Sequence, residues 1–143
     1  MVIDPSPLTL EDSISEAVVE ERRGQQEFRR RQDILWEGKC AVTGCAIRQA
    51  LRASHAIPWK ECKTGAEHLD PHNGFLLNAN LDALFDAFLI TFDMNGQIRI
   101  SSKLSDKDCA LLGISKDMKL RFVKEAHRPY LCFHQARFEA QEF

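Results

Sequence analysis

The chain has 143 residues, 44% of them hydrophobic and 28% charged, which fits one soluble globular domain with a modest core. Its net charge of −2 gives no global basic footprint, so any nucleic-acid contact has to rest on local charge. No apolar run is long enough for a bilayer, and MVIDPSPLTLEDS lacks the charged-then-apolar form of a signal peptide; the expectation is a cytoplasmic protein with no membrane partner and five reduced cysteines.

In chain order, Met1 to Pro7 read as a loose leader. Thr9 with Asp12 resembles a capping box that opens a helix through about Arg23. Gly24 is expected to interrupt it, and Gln25 to Trp36 to form a second helix with Phe28, Leu35 and Trp36 on one side. Arg29 and Arg30 belong to a basic cluster on the other side, either a solvated face or a DNA contact. Cys40 to Cys45 reads as a short strand plus turn, and Leu51 to Ile57 as an extended segment ended by Pro58. Lys60 to His72 is polar and turn-rich, hence a long loop. Phe75 to Leu77 forms a strand, and Asn78 or Asn80 can N-cap a helix to about Ala87. Leu89 to Phe92 and Gln97 to Ile100 pair around the turn signal Asn95-Gly96. Ser105 to Leu112 reads as a capped helix, Lys119 to Val123 as a strand, and Pro129 to about Gln141 as a terminal helix.

The most informative stretch is DPHNGFLLNANLDALFD, Asp70 to Asp86. Leu77, Leu81, Leu84, Phe85 and Phe88 follow the spacing of a buried helical stripe. Asp82 and Asp86 sit together at its edge, one helical turn apart, where like charges repel by about 0.2–0.5 kcal/mol. A hard divalent cation such as Mg²⁺ or Mn²⁺ would turn that repulsion into attraction. His55 lies upstream in SHAIPW, and a strand, a loop and a second strand would return it beside the helix. An imidazole, an asparagine and two carboxylates around one point suit metal-assisted phosphodiester hydrolysis.

SHAIPW, DPHNG and LDALFD together resemble the motif of the HNH endonuclease family, in the subgroup often seen in restriction-type proteins. The resemblance covers roughly Gly38 to Ile100. It implies an α+β fold: a ββα-metal finger at about 51–88, embedded in a small domain with N-terminal helices, a β-hairpin and a C-terminal helix. The expected division is a helical segment over 1–37 and the nuclease domain over 38–143. By the resemblance, His55 is the general base, and Asn73 fixes the loop and the imidazole. Asp82 and Asp86 are metal ligands, with Asp82 where the family often has His or Asn. Ser54 falls where the family often has a further Asp or His ligand. One Mg²⁺ or Mn²⁺ ion per site is implied.

The implied partner is duplex DNA, contacted by Arg52, Lys60, Lys63, Arg29 and Arg30. A homodimer is one way to make both cuts, and a separate domain or subunit would supply target recognition. Two other readings stand beside the nuclease. One is a catalytically impaired nucleic-acid-binding or interaction module, motivated by Ser54 and the acidic net charge; the other is a toxin-like nuclease acting on RNA. Cys40 and Cys45 could form half a zinc site, but no matching pair exists and buried free thiols are favoured. Trp59 is read as a packing residue, and His72 as a loop residue. His127, Arg128, His134 and Arg137 either contact DNA or belong to a helix docked on the core.

Overall fold

The computed structural model describes residues 10–142, so the expected Thr9 cap lies outside the described residues. The first element, α1 (Leu10–Trp36), is one continuous helix of 27 residues rather than two. Gly24 does not break it. A Cβ at Gly24 would lie 2.2 Å from Cη2 of Trp59, so the missing side chain makes room for an indole. Glycine costs a helix interior about 1 kcal/mol, and the seating of Trp59 offsets that. Gly24, Phe28, Gln32 and Trp36 follow at intervals of four, and the last three are fully buried on that face. Arg29 and Arg31 do not simply face solvent. They donate to the carbonyls of Leu51 and Leu69 and so tie α1 to the rest of the molecule.

The segment from Cys40 to Cys45 is a turn, not a strand. Its thiol explains why: Cys40 Sγ accepts from the N–H groups of Val42, Thr43 and Asn78, each at 3.4 Å, which curls the chain around the sulfur. All five cysteines are free thiols, Cys40 fully buried.

Strands β1 (Leu51–His55) and β2 (Gly74–Asn78) pair antiparallel, with Ser54 opposite Phe75 and His55 opposite Gly74. Between them the expected loop holds a short helix, α2 (Gly65–Leu69), opened by Thr64, whose side chain accepts from the Glu67 N–H. Helix α3 (Ala79–Asp86) follows β2 directly and buries Leu81, Leu84 and Phe85. Asn78 occupies the N-cap position without a side-chain capping bond; its Oδ1 accepts from the Thr43 hydroxyl instead. Phe75 meets Phe85 and Phe92 edge-on at 5.7 and 5.6 Å, the centre of the core.

The hairpin forms as expected, β3 (Ile90–Phe92) with β4 (Ile98–Ile100). Helix α4 (Asp106–Leu112) carries a full capping box between Ser105 and Asp108 and ends at Gly113, φ +69°. Lys119 to Val123 is not a strand: a single bridge joins Lys119 to Gln97. The backbone then divides its partners, Leu120 N–H donating to Gly96 and Arg121 N–H to Ala41, so no ladder forms. The Arg121 guanidinium donates to the carbonyls of Trp36, Lys39 and Cys40, closing the end of α1.

The terminal helix, α5 (Arg128–Gln141), has Pro129 in its first turn and packs on β3. His127 and His134 are wholly buried, which removes them from any surface contact. Burial pushes both rings down to about 4. His134 is held between the Thr91 hydroxyl and the Phe85 carbonyl, a pairing that a neutral ring satisfies with one acceptor and one donor nitrogen. Among the described residues no helix is long and apolar enough to cross a membrane. The architecture is therefore α+β, with two small antiparallel strand pairs wrapped by helices.

Candidate functional site

The strand pair and α3 wall a cleft of about 280 Å³, and α1 closes it from the side. From β1 come Ser54 and His55; from α3 come Asp82 and Asp86; from α1 come Gln25 and Phe28; Trp59 sits at the rim. Four residues singled out from the sequence thus converge, although they derive from elements nearly thirty positions apart.

Gly74 sets the close approach of the strands. Its φ is +140°, and a Cβ there would lie 1.6 Å from the Ser54 carbonyl oxygen. Only a glycine lets β2 pass β1 so tightly at the residue before His55.

His55 is held on two sides. Its Nε2 lies 2.9 Å from the His68 carbonyl, and the Phe28 ring stacks on it at 3.7 Å. A carbonyl only accepts, so Nε2 carries the proton and Nδ1 keeps its lone pair. Burial pulls the His55 imidazole below its ordinary value; the bond to the His68 carbonyl and the Asp86 carboxylate oppose this without cancelling it. Burial thus favours the neutral ring, whose Nδ1 lone pair could accept a proton.

His68 supplies its carbonyl from a fixed place. Its own ring stacks on Trp59 at 3.8 Å and hydrogen-bonds the Trp59 carbonyl at 2.9 Å. Asn73 does not reach the cleft. It is fully buried; its Oδ1 accepts from the Ile57 N–H at 2.8 Å and its Nδ2 donates to the Glu67 carbonyl at 3.0 Å. It pins the chain after β1 to α2, and α2 carries His68. Asn73 is thus a positioning residue that acts on His55 through the loop.

Asp82 is half-buried and Asp86 exposed. Burial raises the Asp82 carboxyl above the usual range; the nearby Ser54 hydroxyl and Arg52 guanidinium moderate the rise, and the Asp86 charge adds to it. Ser54 Oγ is buried and finds no settled hydrogen-bond partner among the described residues, although it lies close enough to Asp82 to favour its charged form. A buried hydroxyl beside two carboxylates is an oxygen-rich donor set, of the chemical kind that suits a hard cation. Mg²⁺ and Mn²⁺ suit such a set, because Mg²⁺ keeps several waters and takes only one or two carboxylates. Among the described residues no group of three or more His, Cys, Asp or Glu side chains is placed to hold a metal ion, so a cation in this cleft would have to draw on two carboxylates, the hydroxyl and water.

The expected nucleic-acid contacts are placed unequally. Arg52 is exposed on β1 beside the cleft, and Lys60 and Lys63 are exposed in the turn after Trp59. Arg29 is engaged with Asp33 and with the carbonyls of Leu51 and Arg48. Arg30 pairs with Glu27 and lines no part of the cleft. His72 bonds Asp70, which also accepts from the Tyr130 hydroxyl, so it belongs to the loop and not the cleft. Sequence reasoning did not find Gln25, Phe28 or the His68 carbonyl. Only Gly24, four residues before Phe28, hints that this face of α1 meets something large.

No curated protein matches the sequence. Residues 40–93 match a family model described as HNH endonuclease, and the match spans β1, the loop with Asn73, β2 and α3. The segment 40–93 is thus similar to HNH endonucleases, which suggests a nuclease-type unit, and it contains His55, Asn73, Asp82 and Asp86.

Proposed function

We propose that the chain is a divalent-metal-dependent endonuclease that hydrolyses DNA phosphodiester bonds at the His55 cleft. One observation carries this reading. The Nε2–H of His55 is tied to the His68 carbonyl, which leaves Nδ1 as a base in a cleft shared with Asp82, Asp86 and the buried Ser54 hydroxyl.

In this reading His55 Nδ1 takes a proton from water as the water oxygen attacks phosphorus. The P–O3′ bond breaks, the 3′ oxygen takes a proton from solvent, and a 5′-phosphate remains on the other fragment. Asp82, Asp86 and Ser54 would hold a Mg²⁺ or Mn²⁺ ion, which would supply charge stabilisation at the phosphate and the leaving oxygen. Phe28 shields one face of the imidazole and keeps it in register for in-line attack. A separate recognition domain or subunit, as in restriction-type systems, would supply the choice of target.

The test is incubation of supercoiled plasmid with the chain and Mg²⁺, Mn²⁺ or EDTA, with an RNA of similar length in parallel. Nicked or linear DNA with 5′-phosphate ends, formed only with a divalent ion, is expected. No cleavage with any ion, or cleavage that survives EDTA, would contradict the proposal. Preferential cleavage of the RNA would move the substrate assignment.

A further inference from the structure

We infer that a basic groove beside the cleft, with Arg22 and Arg48 as its exposed cations, carries the phosphate backbone of the nucleic acid toward His55. The inference rests on the nuclease reading for the identity of the polymer.

The groove holds about 360 Å³ between α1 and the turn before β1 and is lined by Arg22, Gln25, Gln26, Arg29 and Arg48. Gln25 lines the His55 cleft as well, so the two spaces adjoin at that residue of α1. Arg29 forms the inner wall and is already engaged with Asp33 and two backbone carbonyls. Asp33 also takes Arg48 at 2.8 Å, yet the Arg48 side chain stays 71% exposed, with most of its fork open to a second anion. Arg22 is exposed and forms no salt bridge among the described residues. Arg29 and Arg48 share one carboxylate, Asp33, Arg22 adds a third guanidinium to the groove wall, and two glutamine amides add neutral donors. That is the chemistry of a phosphodiester contact: charge-assisted donors for the oxygens and amides for register. Arg52 continues the charge to the cleft, where it acts on the Asp82 carboxyl.

The other flank of α1 differs. A larger groove of about 560 Å³ runs from Trp59 along Gly24 and carries Glu20, Glu21 and Glu27. Its one arginine on α1, Arg23, lies 3.8 Å from Glu20. Glu27 there is paired with Arg30 and Arg31 and Glu20 with Arg23, so the arginines of that flank are already engaged by carboxylates and the Gln25 side offers a polyanion the more available charge.

The experiment measures binding of a labelled duplex to the intact chain carrying His55→Ala, in EDTA, across a salt series. Adding Arg22→Gln with Arg48→Gln is expected to weaken binding about tenfold at low salt and to flatten the slope of log K against log salt by about 2. Adding Glu20→Gln with Glu21→Gln instead is expected to leave binding unweakened. Unchanged affinity and slope in the arginine variant, with a native circular dichroism spectrum, would overturn the inference. So would a chain that binds no duplex at all. Plasmid cleavage by the unmodified chain decides the nuclease reading separately. A chain that cleaves plasmid but binds duplex independently of both arginines refutes the groove alone; a chain that cleaves nothing refutes the nuclease reading whatever the groove binds.

Discussion

Replacing His55 by alanine is expected to slow plasmid cleavage by about 10²- to 10⁴-fold, the range for loss of a general base. The fold should survive. The side chain lines a cleft rather than filling the core, and its main packing partner is the Phe28 ring at 3.7 Å. Loss of that stacked pair costs about 1 kcal/mol, a melting shift of a few degrees. The pH profile gives a second readout. Because burial lowers the His55 imidazole, the neutral base persists to lower pH than a free histidine. The acid limb of the rate should therefore fall with a midpoint below the ordinary imidazole value of about 6.5. Wild-type cleavage by His55→Ala, or an acid limb well above that value, would remove His55 from the chemistry.

Gly74→Ala is expected to damage stability and cleavage together. The added methyl would lie 1.6 Å from the Ser54 carbonyl oxygen, a backbone atom with no rotamer to escape into. The φ of +140° is also foreign to a residue with a side chain. The strands must separate at the pair that positions Ser54 and His55, and the expected loss is about 3 kcal/mol or more. In a chain of this size that lowers the melting temperature by roughly 10 °C. Gly44 is the internal control: it has positive φ, but a methyl there would meet nothing within 4 Å, so Gly44→Ala should cost about 1 kcal/mol. Equal melting of the two variants would show that the close approach at Gly74 is not a constraint.

The parts of the fold legible in the sequence are those set by short-range rules. The Asn95-Gly96 turn fixed the hairpin, Ser105 with Asp108 fixed the start of α4, and the leucine-phenylalanine stripe fixed α3. The features that misled were settled by distant partners. Gly24 reads as a breaker in isolation and becomes a seat once Trp59 is beside it. Lys119 to Val123 has strand-like residues, but its N–H groups are claimed by Gly96 and Ala41 in turn. Cys40 to Cys45 curls because a thiol accepts three backbone donors, which no propensity encodes.

The site divides in the same way. His55 could be brought beside Asp82 and Asp86 by a strand, a loop, a strand and a helix, the family resemblance added Ser54 and firmed up that grouping, and all four line one cleft. Asn73 could be read as a loop residue but not as the link between the chain after β1 and α2. Phe28 and Gln25 reach the cleft from a helix almost thirty residues before His55, and no local pattern announces that contact. The long N-terminal helix is therefore part of the site, as the wall that stacks on the imidazole and as one bank of the basic groove.

The proposed nuclease would hold a divalent ion in the His55 cleft on Asp82 and Asp86. The most direct measurement is an anomalous difference map from crystals of the chain grown with Mn²⁺. A single strong peak within bonding distance of the Asp82 carboxylate, on the side facing His55, is the result the account requires. An empty cleft at saturating Mn²⁺, or a peak only at carboxylates outside it, would contradict the account.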